Sequence, residues 1–418
     1  MKPSCRRTLL LLLILMGITG ACVRPDKGPS PFEGFQRATQ PPELPLGPQL
    51  APDFEIIPNS ELVYGPALKD FDLRDFVSEH FPEMDAYREE VGGREWSGAQ
   101  ILEKVSRDYS VNPRLLLALL RNRGGVGLNL DDPFLPDVSH HGLFRQLSWA
   151  ADTLNYGYYA SRVSALDQLT LADGTLVNIP DQVVPGTAAV QYFYSFLLGY
   201  ADFQAAVGPL GLFADYAVLF GSPRVFAIEP LIPGDLVQPL MHPPYDRNEG
   251  WYFTSGPHSA WGSGAAWAAL DFAPPLPDED SWGCYDSPAW VRALADGRIV
   301  RVSDGLLVED LDGDGFEGTG WTILYMHVSE NDRVALGSWV EAGDALGHPS
   351  CEGGPANGTH LHIARRYNGE WIPADQDLPF FLDDWVSHGF GVEYDGILAK
   401  GGSEIHASGF PTDENRVY

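Results

Sequence analysis

A chain of 418 residues is too long for one ordinary hydrophobic core and predicts two folded domains. Its formal net charge of −30, from 57 acidic against 27 basic residues, excludes nucleic acid as a partner, because a polyanion is repelled where a binder needs a basic stripe. The same charge disfavours adhesion to anionic lipid headgroups, and it leaves an acidic surface whose field gathers cations.

The chain opens with Lys2, Arg6 and Arg7, then an apolar stretch from Leu9 to Met16, then Gly17 through Ala21 before Cys22. This is the layout of a secretory signal, with an apolar run too short to span a bilayer. The small residues before Cys22 resemble a bacterial lipobox, with Thr19 where that motif prefers Leu. That resemblance makes 1–22 a cleaved signal, Cys22 a lipid anchor, and the product an extracytoplasmic protein of the cell envelope. Ordinary cleavage after Ala21 is the alternative. Cys5 lies in the signal and Cys22 at its end, so Cys284 and Cys351 remain, and an even pair in an exported chain predicts a disulfide. The competing reading, zinc ligation by both, lacks the close-spaced C-x-x-C of a structural site. Residues 23–60 are rich in proline and glycine and predict an extended tether.

Residues 61–235 read as helices. Ser97 and Gln100 have capping-box spacing, and Ile101, Leu102, Val105 and Tyr109 follow at helical intervals. Asn112-Pro113 predicts the start of the next helix and Gly124-Gly125 its end. A further helix is expected over 142–162, and another capped by Thr187, with Asp173-Gly174 as a hairpin turn between them.

From 236 to 400 short strands alternate with Gly- and Asp-rich turns, as in GRIVRVS, LLVEDL, WTILYMHVS and THLHIARRY; 401–418 is read as a tail. The expected class is therefore α+β, an all-α domain followed by an antiparallel β domain. In GTHLHIARR, strand alternation puts His360 and His362 on one face and Leu361 and Ile363 on the other. A lone H-x-H is a weak signal. It gains weight from His327, which sits in the mostly apolar ILYMHVS, and from GPHSAWGSGAAWAALDFAP, which contributes His258 and Asp271. Histidine and carboxylate are ligands that zinc takes, and three of them plus water make a catalytic site.

On these motifs, residues 251–372 resemble the lysostaphin and LytM family of zinc endopeptidases, which cut peptide bridges in peptidoglycan. The resemblance implies His258, Asp271 and His362 as zinc ligands and His360 and His327 as the catalytic pair. It implies that His360 takes the proton of the attacking water, and that His327 donates a hydrogen bond to the oxyanion. The chain departs from the family in one respect: twelve residues, not three, separate His258 from Asp271. His242 is the nearest substitute for the first ligand.

Two other features carry expectations. Asp310, Asp312 and Asp314 precede Gly315 like the start of a calcium loop, but an EF-hand's twelfth-position Glu is Trp321 here, leaving Glu317 as a substitute. An acidic turn is the plainer reading. Residues 97–125 look like the start of a lysozyme-like transglycosylase domain with Arg121-Asn122 where its catalytic Glu and Ser would stand. Arginine cannot protonate a leaving oxygen. The helical domain is therefore expected to be lysozyme-like in fold only, with glycan binding through Trp149, Tyr156, Tyr158 and Tyr159 set against the commoner role of helix aromatics as core. The expected function is zinc-dependent cleavage of peptidoglycan stem peptides or cross-bridges; the alternative is a non-catalytic wall-binding or regulatory protein.

Overall fold

A computed structural model describes residues 54–124, 128–135, 138–278 and 283–418. The signal, Cys22 and the tether up to residue 53 lie outside the described residues. Among the described residues no helix is long and apolar enough to cross a membrane.

The first part is helical: α1 Leu73–His80, α2 Pro82–Ala86, α3 Gly98–Tyr109, α4 Pro113–Gly124, α5 Leu143–Arg162, α6 Pro185–Ser195, α7 Tyr200–Ala206 and α8 Leu212–Phe220. The Ser97 side chain accepts the Gln100 N–H and the Gln100 side chain accepts the Ser97 N–H, the reciprocal cap expected for α3. Ile101, Leu102 and Val105 then face inward. Helix α4 buries every residue from Leu115 to Leu120, so it forms the centre of this part. The turn at Asp173-Gly174 closes a hairpin of Gln168–Thr170 with Leu176–Asn178, as expected. Thr187 is not a cap. It lies inside α6, and its hydroxyl oxygen accepts the Ile56 N–H at 2.9 Å. Ile56 and Ile57 are fully buried, so the chain joins the core several residues before residue 61, where the tether was expected to end.

The second part is built on a nine-stranded sheet of β1 Trp251–His258, β2 Ala269–Ala273, β3 Gly297–Ser303, β4 Leu306–Asp310, β5 Trp321–Met326, β6 Trp339–Val340, β7 Leu361–Tyr367, β8 Glu370–Trp371 and β9 Arg416–Val417. The spatial order is β6-β3-β4-β5-β7-β2-β1-β9, with β8 paired to β7, and the pairings are antiparallel. A four-stranded sheet of Phe381–Leu382, Trp385–Gly389, Gly396–Lys400 and Ser403–His406 lies beside it. Residues 401–418, expected as a tail, supply the last strand of this sheet and also β9, whose Val417 is buried opposite Trp251. The coarse order, helices first and antiparallel sheets after, is as expected.

Alternation sorts the main sheet into two faces. Leu270, Phe272, Leu307, Ile323, Tyr325, Leu361 and Ile363 pack into a core shared with the C-terminal strands. Ala269, Leu306, Leu324 and Ala364 belong to the other core, which continues into the helices. The helical part is thus docked on one face of the sheet. At that junction Glu317 is buried among Arg107, Arg301 and Arg366. Burial alone would raise its carboxyl, but the three guanidinium groups outweigh it and hold the group well below the usual carboxylate range. Two further contacts cross the junction: Trp371 N–H donates to the Tyr159 hydroxyl at 3.0 Å, and the Tyr158 hydroxyl donates to Glu370 at 3.1 Å.

Candidate metal centre

Four neighbouring segments of the sheet converge on the helix-facing side. His258 ends β1, Asp271 lies in β2, His362 lies in β7 directly opposite Asp271, and His327 follows β5. His360 precedes β7, two residues before His362, so both histidines share a face while Leu361 and Ile363 point into the opposite core. His327 is not in the strand itself: it is the first residue past its end, with a left-handed φ of 68° that few non-glycine residues adopt.

The donor atoms meet at short range. His258 Nε2 lies 3.0 Å from His362 Nδ1 and 3.3 Å from Asp271 Oδ1, and His362 Nδ1 lies 3.1 Å from that same oxygen. His360 Nε2 is 3.9 Å from Asp271 Oδ2, and the His327 and His360 rings are 4.4 Å apart. His258, Asp271, His362 and His327 are all buried.

Each imidazole is oriented by a backbone carbonyl. His258 Nδ1–H donates to Gly256 O at 2.9 Å, His362 Nε2–H to Ala260 O at 3.1 Å, His360 Nδ1–H to Gly358 O at 2.8 Å and His327 Nδ1–H to Glu352 O at 2.7 Å. A carbonyl can only accept, so it fixes the proton on the nitrogen facing it and leaves the other nitrogen as a lone pair. In His258, His362 and His360 that other nitrogen faces Asp271. Two such lone pairs, from His258 and His362, lie 3.0 Å apart beside a carboxylate. They repel unless a cation or a proton lies between them. This donor set fits zinc, whose nitrogen and oxygen ligands lie at about 2.0–2.2 Å and whose histidines typically donate their second N–H to a carbonyl or carboxylate. His258, Asp271 and His362 form one compact group of possible ligands, as expected.

The electrostatics agree. For Asp271 burial acts upward, but His258 and His360 outweigh it and hold the carboxyl well below its ordinary value. For His258 burial acts downward and Asp271 more than offsets it, so its pKa is raised. Burial lowers His362, and burial together with the neighbouring His360 and His362 pushes His327 down to about 3. Its Nδ1–H is committed to the Glu352 carbonyl.

Cys284 and Cys351 form the expected disulfide, with Cα atoms 5.8 Å apart. His242 lies elsewhere, bonded to Asp383 at 2.5 Å, so it is no substitute ligand. The carbonyls that orient the histidines were invisible to motif reading, since a backbone oxygen has no residue-type signal. Tyr394, stacked on His258 at 4.7 Å, comes from the C-terminal sheet and was missed for the same lack of a local pattern.

The other expected sites fare differently. Asp310, Asp312 and Asp314 do cluster in the turn between β4 and β5. Their oxygens are engaged by the Gly313, Gly315, Asp314 and Phe316 N–H groups, the Thr319 hydroxyl and Lys69. Glu317 is held by arginines instead of completing a loop, and calcium is not supported there. Arg121 pairs with Asp215 at 3.1 Å and Asn122 bonds the same carboxylate, so both serve packing of α4 on α8. Tyr158 and Tyr159 are buried against the sheet and unavailable for glycan stacking.

The chain is similar to proteins named as proteases. Over nearly its whole length the similarity is to Protease LasA of Pseudomonas aeruginosa, 26% identical across 88% of this chain and 86% of that one. Residues 55–233 match the family described as LasA, N-terminal domain, and nothing confirms a lysozyme-like fold for this part. Among solved structures, the M23 metalloprotease pseudoalterin from the deep sea is 24% identical, covering 42% of this chain and 96% of that one, with a TM-score of 0.33. The catalytic domain of the antimicrobial peptidase lysostaphin from Staphylococcus simulans is 21% identical, covering 31% and 94%, with a TM-score of 0.22. Scores this low carry no argument about the site.

Proposed function

We propose that this chain is a zinc-dependent endopeptidase that cuts peptide bonds in peptidoglycan stem peptides or cross-bridges, exported and anchored through Cys22. The observation that carries the reading is the convergence of three carbonyl-oriented imidazoles, His258, His360 and His362, on Asp271. A relative named a protease supports the choice of reaction.

His258, Asp271 and His362 would hold the metal, which supplies Lewis-acid activation of water and of the scissile carbonyl at neutral pH. His360 presents its Nε2 toward Asp271, so this ring can accept the proton of the attacking water. Once protonated, that ring becomes a donor to the oxyanion and then to the leaving amine. His360, the less buried of the two, is the base that meets water, and His327 stands beside it with ring centroids 4.4 Å apart.

Zinc analysis of the purified protein, combined with mass spectrometry of digested peptidoglycan, tests this. Stoichiometric zinc with new peptide termini, abolished by a chelator, is the expected result. Wall binding without cleavage would favour the non-catalytic alternative.

A further inference from the structure

Of the twelve residues between His258 and Asp271, the first ten, 259–268, form the connection between β1 and β2, and the helical part holds this connection in shape. Asp152, on α5, accepts Ser263 N–H at 2.9 Å and Gly264 N–H at 2.8 Å through Oδ1, and the Ser263 hydroxyl at 2.5 Å through Oδ2. The approach is close enough to require glycine on both sides of Ser263. A Cβ at Gly262, whose φ is +63°, would meet Asp152 Oδ1 at 2.3 Å, and one at Gly264 would meet the Asp152 carbonyl oxygen at 2.0 Å. Trp261 sets its ring edgewise to Tyr109 of α3, and Ala260, Ala265, Ala266 and Ala268 are buried in the core shared with the helices.

The loop closes on itself where Ala260 N–H donates to Ala266 O at 3.0 Å. The Ala260 carbonyl then accepts the His362 Nε2–H, which leaves Nδ1 as the lone pair facing Asp271 and His258. A chain of contacts therefore runs from the α5 carboxylate through the loop apex and the Ala260 carbonyl to the ring of His362.

We infer that Asp152 is a positioning residue for the metal centre: it fixes the loop whose Ala260 carbonyl sets the tautomer and orientation of His362, so the helical part governs how tightly the site binds its metal. This rests on the zinc reading above. Groups that orient a ligating histidine typically contribute about 10–100-fold in metal affinity, and Asp152 acts one step further out.

The test uses the full chain with Asp152→Ala, Asp152→Asn and Ser263→Ala, and reads two quantities. Zinc affinity by chelator competition should weaken about tenfold in Asp152→Ala. Asp152→Asn should stay within about threefold, because its Oδ1 still accepts both backbone N–H groups, and Ser263→Ala should fall between. The imidazole nitrogen NMR signals of His362 in metal-free protein should show the single Nε2–H tautomer in wild type and a mixture in Asp152→Ala. Unchanged affinity together with an unchanged His362 tautomer in Asp152→Ala overturns the inference. If Asp152→Ala does not fold, Ser263→Ala carries the same two readouts, and wild-type values in both overturn it. If the wild type binds no zinc, the functional reading fails, while the tautomer comparison still decides the role of Asp152.

Discussion

Cys284 and Cys351 join the two segments that hold the proposed catalytic histidines. Cys351 lies between Ser350, whose N–H and hydroxyl both donate to the His327 carbonyl, and Glu352, whose carbonyl accepts from His327 Nδ1. Cys284 lies between Gly283 and Tyr285, which both bond Thr359, the residue before His360.

Replacing both cysteines by serine should therefore slow turnover at least tenfold while zinc stays bound, since a misplacement of about 1 Å can cost a hundredfold. The bridge closes a 67-residue separation, so the chain-entropy estimate also gives a stability loss of at most about 4 kcal/mol. Metal content, kcat and thermal melting are the measurements. A lowered melting temperature with unchanged kcat would reduce the bridge to a stabilising role.

His360 and His362 share a strand face but should not share a role. His362→Ala removes a ligand, so zinc content and activity should fall together. His360→Ala should keep zinc and lose roughly a hundredfold or more in turnover, the usual effect of removing a positioned base. Equal metal loss in both variants would make His360 a ligand as well.

Glu309 is fully buried in β4 and accepts the Tyr325 hydroxyl at 2.5 Å. Burial, only partly offset by that bond, raises its pKa to about 8. A carboxyl raised in the folded state binds its proton more tightly there than in the unfolded chain. The stability this contributes is complete below the ordinary value of 4.5 and is lost as pH rises through about 8. Glu309→Gln should thus raise the melting temperature at pH 8.5, by an amount on the order of a few kcal/mol in stability, and change little at pH 4. The same small effect at both values would show that Glu309 does not titrate in this window.

Arg121, which the lysozyme-like reading would put in place of a catalytic carboxylic acid, is spent on Asp215. The full chain carrying His360→Ala should release no reducing or anhydro sugar ends from peptidoglycan. Detection of such ends by mass spectrometry would refute this, and Glu103, bonded to Arg107 at 3.4 Å, would be the first acid to replace.

Much of the fold and of the candidate site was legible in the sequence because the signals are local. The Ser97–Gln100 cap, the Asp173-Gly174 turn and the period-two alternation of His360, Leu361, His362 and Ile363 depend on neighbours within a few residues. Those patterns determined where helices give way to strands and that two imidazoles share a face. The tertiary structure alone decided which nitrogen of each ring carries the proton, because the Gly256, Ala260, Glu352 and Gly358 carbonyls are backbone atoms carried by any residue type. It likewise decided that Thr187 anchors Ile56 rather than capping a helix, that 401–418 completes two sheets, and that Asp152 reaches the loop beside the metal centre. Each of these is a contact between segments far apart in the chain, where proximity follows from how strands and helices pack and no periodicity can announce it.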